Sequence, residues 1–384
     1  MQYFEQLILF ALLFLIPSCQ SNEKTDSNEG YRIEWDQNSI VCIGDEGGYP
    51  RMRRLNDGTL LVFFEDRKGN LVTKRSADEG ASWSDLSVVY SGFEYINKTD
   101  GSTCKVNIAN PEFIQLENNN ILFTCNLRPN KNEVFPFSIA VKRSSDNGKS
   151  WSDPQIVYEA APRFIDGCWE PSFLLLPDGT VQIYFANEFP YQQSNEQEIS
   201  MISSRDNGVT WSQNPVTVSF RKERRDGMPV AVHDNKNIYV AIEDNAVDQF
   251  KPYIVQSSLS DNWAETVTAN SPNRHSALKN PLPDSVYAGA PYLIRTDNGL
   301  YVLAYQTTGN RTSEWELSTM EVVVSDTPFD FKNPSRPFNV PLSKQAKWSS
   351  LTDLGNNTVA ALSSTDFNSD KIGVWMIKGT ITKN

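Results

Sequence analysis

Pro171-Ser-Phe-Leu-Leu-Leu-Pro-Asp178-Gly179-Thr-Val-Gln-Ile-Tyr-Phe-Ala-Asn187 reads as an apolar β-rich run, a tight Asp-Gly turn and a second β-rich run. One such hairpin carries little information, but the chain holds six. The others are PRMRRLNDGTLLVFFE from Pro50, PEFIQLENNNILFTCN from Pro111, PVAVHDNKNIYVAIE from Pro229, PYLIRTDNGLYVLAYQ from Pro291 and SSLTDLGNNTVAALS from Ser349. Successive starts are 61, 60, 58, 62 and 58 residues apart. That spacing suits one four-stranded propeller blade per repeat. The turn residues Asp57-Gly58, Asn118-Asn119, Asp178-Gly179, Asn235, Asn298-Gly299 and Asn356-Asn357 tolerate positive φ, which predicts primed hairpin turns. The expected fold is all-β, a six-bladed β-propeller occupying residues 31–384 as one domain. After residue 30 no helix-period segment of useful length and no low-complexity linker interrupts the repeats.

A second element follows several hairpins: Ser76-Ala-Asp78-Glu-Gly80-Ala-Ser-Trp83, Ser144-Ser-Asp146-Asn-Gly148-Lys-Ser-Trp151 and Ser204-Arg-Asp206-Asn-Gly208-Val-Thr-Trp211, with Ser260-Asp261-Asn262-Trp263 as a degenerate fourth. Ser and Asp are expected to bond the turn's backbone, Gly to adopt a conformation closed to other residues, and Trp to pack between strands. The pattern resembles the Asp-box of sialidase-like propellers, where its role is structural.

Of 384 residues, 39% are hydrophobic and 21% charged, the composition of a globular chain. Lys plus Arg number 35 against 47 Asp plus Glu, a net charge of −12 that repels phosphate backbones and argues against nucleic acid as a partner. An apolar run from Leu7 to Ile16 leads into Pro17-Ser18-Cys19, too short to span a bilayer. It resembles a bacterial lipoprotein signal, although Met1 to Gln6 lacks Lys and Arg and carries Glu5. The resemblance implies a signal peptide at 1–18, lipidation of Cys19, a linker at 19–30, attachment to the membrane through the lipid, and residence in the bacterial cell envelope. The remaining cysteines, Cys42, Cys104, Cys125 and Cys168, form no CxxC pair, and only His233 and His275 are available to help, so no metal site is expected. They allow three disulfide pairings or free thiols.

In a propeller the start of each first strand and the end of each second strand meet at one mouth of the axial funnel. This filter selects Arg51, Glu112, Glu170, Asp226, Tyr287 and Trp348 at strand starts. At strand ends it selects Glu65, Asp66, Arg67, Asn126, Arg128, Asn187, Glu188, Glu243, Asp244 and Gln306. Converging carboxylates suit glycoside hydrolysis, in which one acid protonates the leaving oxygen and a second carboxylate attacks or stabilises. There is no Gly-rich phosphate loop, no G-x-S-x-G elbow and no histidine at the expected mouth.

The Asp-boxes and the Tyr49-Pro50-Arg51 segment resemble sialidases, whose tyrosine nucleophile lies in a segment like YSSL. This chain instead reads Lys347-Trp348-Ser349-Ser350-Leu351, and an indole cannot replace the phenol. An anion clamp of Arg51, Arg225 and Arg311 remains an alternative to ordinary structural roles for these residues. Cys168-Trp169-Glu170-Pro171-Ser172, Arg225-Asp226-Gly227-Met228-Pro229, Ile242-Glu243, Gly289-Ala290-Pro291-Tyr292 and Ala304-Tyr305-Gln306, with Trp348-Ser349-Ser350-Leu351, resemble glycoside hydrolase family 93, the exo-acting α-L-arabinanases. The resemblance covers blades three to six.

It implies a retaining exo-glycosidase with Glu170 and Glu243 as catalysts, the pair that the filter also selects. Glu170 is provisionally the nucleophile and Glu243 the acid/base, an order open to reversal. Arg51, Asp226, Trp169, Tyr292, Gln306 and Trp348 are expected to contact sugar; pairing with Arg225 is the alternative for Asp226, and packing between blades for the aromatics. The implied substrate is α-L-arabinan or a related plant polysaccharide, with no cofactor, and a monomer is expected. An exo-α-sialidase and a non-catalytic glycan-binding propeller stand as alternatives.

Overall fold

The computed structural model describes residues 30–383, so the expected signal peptide, the lipidation at Cys19 and all of the linker except Gly30 lie outside the described residues. The chain is an all-β propeller of six antiparallel sheets. Each hairpin supplies the first two strands of a blade, as in Cys168–Leu175 paired with Val181–Asn187, followed by Glu198–Ser204 and the outer Val216–Ser219. The second blade has a fifth strand, Phe93–Ile96, lying along the start of Thr103–Gln115.

The ring is closed by a pairing that no repeat encodes. Tyr31–Gly44, from before the first hairpin, forms the outer strand of the sixth blade against Gly373–Lys383, with Tyr31 opposite Lys383. Closure leaves no blade without a neighbour on each face, and the edges that remain are the outer strands of the blades.

Second and third strands are buried on both faces, and their side chains fill the wedges between blades. Phe63 of the first blade stacks on Phe123 of the second at 5.3 Å, and Trp151 meets both edge-on at 5.7 and 5.8 Å. Trp151 belongs to an Asp-box, so the motif delivers the packing expected of it. Ser144 Oγ accepts from the Gly148 N–H at 2.7 Å and donates to Asp146 at 2.8 Å, while Asp146 also holds the Ser150 N–H and hydroxyl. The same bonds recur in the boxes at Ser76 and Ser204. These bonds hold Asp78 and Asp206 down to about 2, and the aspartates stay outside the funnel chemistry. In the degenerate fourth box Trp263 is 2% exposed and donates to the Tyr184 hydroxyl of the preceding blade.

The hairpin turns differ from the expected primed type. In the first, second, third and fifth, the residue after a three-bond turn has positive φ (Gly58, Asn119, Gly179 and Gly299), and the strands close one residue later, as between Leu55 and Thr59. This is a three-residue loop with a bulge. In the sixth, Asn356 and Asn357 are both left-handed, as a primed turn requires, whereas the fourth has no left-handed residue. Cys42, Cys104, Cys125 and Cys168 are free thiols, and all but Cys42 are buried.

One irregularity recurs in all six blades. Tyr49, Asn110, Glu170, Met228, Ala290 and Trp348 have φ between +48° and +54°, and each sits at the register break between its blade's first and second strands. The first strand carries one extra residue there, so Gly48 pairs with Glu65 but Arg51 with Phe63. Such a bulge bends the strand and redirects a side chain. In five blades the next residue is proline, which disfavours the right-handed alternative for its predecessor.

Closure predicts a sensitive position. A Cβ on Gly379 would lie 2.4 Å from Ile33 and 2.6 Å from Trp35 on the closing strand. Gly379→Val is expected to lower stability by about 1–3 kcal/mol through overpacking, measured as a fall in the thermal or urea midpoint.

Candidate active site

The six bulges direct their side chains toward the axis at one level. Tyr49, Met228 and Ala290 pack together there with Trp348 against them, the Tyr49 and Trp348 rings 6.3 Å apart. Above this floor lies a cavity of about 360 Å³ lined by Tyr49, Asn110, Glu170 and Trp348, with Glu65, Arg128 and Lys347. Below it the first strands enclose a separate cavity of about 710 Å³ that shares no lining residue with the upper one. The upper funnel is therefore blind.

Each bulge exposes a backbone N–H, and in five blades the side chain at the end of the preceding blade's second strand accepts from it. Glu65 holds Asn110, Asn126 holds Glu170, Glu243 holds Ala290, Gln306 holds Trp348 and Ser364 holds Tyr49, at 2.8–2.9 Å. These acceptors occupy one register position, opposite the residue just before the bulge. In the third blade that position is Ala186, which has no acceptor to offer Met228. Each latch ties one blade to the next at the level of the site.

Glu170 and Glu243 stand in adjacent blades. Glu170 is half-buried, and its backbone is held by Asn126, which itself donates to the Cys168 carbonyl at 2.9 Å. Burial, then the nearby Glu243 charge, push the Glu170 carboxyl up to about 8. Burial lifts Glu243 to about 7, opposed by the Ala290 N–H and the charge of Arg225. The pair therefore titrates near neutrality, and the proton is held more tightly by Glu170. Two glycines make room for Glu243: a Cβ would lie 3.0 Å from its Oε1 at Gly227 and 2.6 Å from its Oε2 at Gly289. The Tyr287 phenol is close by, since the same Cβ on Gly289 would lie 2.5 Å from its hydroxyl. Burial raises that phenol's pKa, so it keeps its proton.

The structure corrects most of the expected sugar contacts. Trp348 lines the funnel. Arg51 is 4% exposed beneath the floor, its guanidinium 4.0 Å from the Tyr49 ring centre and its Nε 3.5 Å from Glu112. Tyr292 is buried beside it, donates to Glu112 at 3.1 Å and lines the lower cavity. Gln306 is spent at both ends, on Trp348 and on Tyr287. Trp169 packs against Phe137 and Phe164 and donates to Glu188 at 2.8 Å, so its ring is a wall component. Asp226 is fully buried with Asp244 between Arg221 and Arg274, and does not pair with Arg225.

The arginine clamp does not assemble either. Arg51 serves Glu112, Arg225 bonds Glu188 and Gln197, and Arg311 ties the carbonyls of Leu317, Val340, Pro341 and Lys344. Sequence reasoning did not single out Gly227, Gly289 or Lys347. Their signal was adjacency: each neighbours a bulge residue, Met228, Ala290 or Trp348. Among the described residues, no group of three or more His, Cys, Asp or Glu is placed to hold a metal ion.

Residues 130–223 match the BNR repeat-like domain. The fold is a six-bladed propeller, and its residues 130–223 carry the BNR repeat-like sequence. A protein of unknown function from Dyadobacter fermentans superposes with a TM-score of 0.66 at 15% identity, covering 92% of this chain and 100% of that one. The GH93 α-L-arabinofuranosidase of Fusarium graminearum, in complex with arabinobiose, gives 0.62 at 16%, covering 90% and 97%. A sialidase of Streptococcus pneumoniae gives 0.60 at 12%, covering 91% and 70%. No curated protein matches this sequence. At these identities the superpositions speak for the fold.

The BNR propeller's latch separates structure from chemistry at Glu243. Glu243→Ala leaves the Ala290 N–H without its acceptor and is expected to cost about 1–3 kcal/mol, whereas Glu243→Gln keeps a carbonyl acceptor and stays within about 0.5 kcal/mol of the parent in urea denaturation.

Proposed function

We propose that this BNR propeller is a retaining, exo-acting glycoside hydrolase that uses Glu170 and Glu243 as its catalytic pair. The observation carrying the reading is a carboxyl, Glu170, lining a blind funnel with a second carboxyl, Glu243, in the adjacent blade close enough for its charge to raise the first. A protonated carboxyl delivers its proton to the leaving glycosidic oxygen while an ionised one attacks the anomeric carbon, and water later releases the sugar with the first group acting as base. With Glu170 as nucleophile and Glu243 as acid/base, the proton stands on Glu243 when substrate is bound. A floor closed by Tyr49 and Trp348 admits a chain end and supports exo action. Trp348, the half-buried aromatic at the base, offers a stacking face.

The motifs around Glu170, Glu243 and Trp348, with the Fusarium graminearum fold, favour α-L-arabinofuranosyl polymers as the first substrates to test. A non-catalytic glycan-binding role is the outcome if sugars bind and nothing is released. Product analysis with linear arabinan and with sialyllactose tests the reading. Release of arabino-oligosaccharides, with kcat/KM lowered about 10²–10⁴-fold in Glu170→Gln and Glu243→Gln, is the expected result; free sialic acid would sink it.

The pH profile carries a sign. Above about 8 the pair loses its last proton and the acid is gone; below about 7 it gains a second proton and the nucleophile is gone. The profile of kcat/KM is expected to be bell-shaped with its maximum near neutrality, well above the ordinary carboxylate range of about 4. We also propose that Cys19 carries a lipid holding the enzyme, as a monomer, at the bacterial cell envelope. Metabolic palmitate labelling that disappears in Cys19→Ala is the expected outcome, and equal labelling of both forms would refute the anchor.

A further inference from the structure

Among the described residues, the cations and carboxylates that line the funnel make no ion pair with one another. Arg67, Arg128 and Lys347 line it opposite Glu65, Asp66 and Glu170. The acids are occupied. Asp66 accepts from the Lys68 and Asn70 N–H groups and from the Asn70 side chain. Glu65 accepts the Asn110 N–H, and burial raises its pKa, as it does that of Glu170.

Lys347 is 8% exposed, yet among the described residues its ammonium makes no hydrogen bond and has no carboxylate oxygen within 4.0 Å. Glu316 and Asp366 attract it only from beyond that distance. It lies 4.4 Å from the Trp315 ring centre and 6.0 Å from that of Trp348. Among the described residues Arg128 likewise has no carboxylate oxygen within 4.0 Å, the charges of Glu65 and Glu170 acting on it from beyond that distance; its guanidinium stacks over Trp169 at 5.1 Å. The Lys347 ammonium opens onto the cavity, and its cation–π contacts supply only about 0.5–2 kcal/mol. An arginine fork and a lysine point charge facing one cavity match a carboxylate on a bound ligand.

We propose that the substrate carries a carboxylate on, or immediately beside, the sugar that reaches Glu170, and that Lys347 and Arg128 are its counter-ions. The preferred glycan then carries a uronate on or next to the terminal sugar, and a wholly neutral arabinan is cleaved with a higher KM because it offers the two cations no carboxylate. This narrows the hydrolase reading given above and rests on the same funnel.

Binding is measured on the full chain carrying Glu170→Gln, so that the answer does not depend on turnover. Calorimetric titrations use methyl galacturonoside and methyl glucuronoside against methyl galactoside, methyl glucoside and methyl arabinofuranoside, with galactose 6-sulfate as the second anionic source. At least one uronide is expected to bind about 10-fold or more tighter than its neutral counterpart, a preference that shrinks as salt rises. Lys347→Met and Arg128→Gln are each expected to abolish that preference, bringing the ratio of uronide to neutral-sugar affinity to about one. Arg128 is only half-buried, which keeps the test open if Lys347→Met does not fold. Equal affinity for uronides and neutral sugars, no binding of any uronide, or a preference that survives Arg128→Gln would overturn the proposal. Tight binding of the sulfated sugar alone would overturn the carboxylate in favour of a sulfate. Uronide selectivity without hydrolysis by the parent protein would support this inference while removing the hydrolase reading.

Discussion

Six residues with a left-handed backbone, one in each blade, set the geometry on which the site depends. A non-glycine residue in this region costs about 1–2 kcal/mol, so six of them persist only because the surroundings over-determine them. The surroundings here are specific. The bulge turns the backbone N–H of Asn110, Glu170, Ala290, Trp348 and Tyr49 toward the preceding blade, whose second strand ends in an acceptor at the matching register. The same turn sends the side chains to the axis. Fold and site are therefore consequences of one backbone irregularity repeated around a ring.

That economy explains why Glu243 carries two roles. It occupies the latch position filled elsewhere by Glu65, Asn126, Gln306 and Ser364, and it neighbours the one bulge residue that is a carboxylate, Glu170. A latch needs only an acceptor, which Gln306 and Ser364 supply without charge. A second ionisable group beside Glu170 adds what those neutral latches lack, a coupled titration near neutrality. Gly227 and Gly289 complete the arrangement by leaving space on either side of the carboxylate.

Buried charge is handled in two contrasting ways. In the fourth blade Asp226 and Asp244 meet Arg221 and Arg274 in a closed network, every member at most 6% exposed and every charge answered within the protein. Such a cluster fixes geometry and offers nothing to a ligand. In the funnel Lys347 and Arg128 rest on aromatic faces and, among the described residues, have no carboxylate oxygen within 4.0 Å. The difference between these groups lies in their partners, which are remote in sequence.

Sequence alone determined the blade count, because a hairpin recurring at 58 to 62 residues with turn formers between its strands has few other solutions. It also determined the structural role of the Asp-boxes, whose bonds span eight residues. It placed Glu170 and Trp348 at the mouth whose funnel both line, since the strand start follows from the hairpin itself. Tertiary structure decided the rest. Tyr31–Gly44 closes the ring from the far end of the chain, and no local pattern names its partner. Arg51 and Gln306 satisfy the mouth filter, and Tyr292 is an expected sugar contact, yet all three turn away from solvent, because one extra residue at each bulge changes which side chains face the funnel. Asp226 is claimed by Arg274, which lies 48 residues away. Local chemistry and period are written in neighbouring residues; side-chain direction at a bulge, and the pairing of charges across blades, exist only once the ring is assembled.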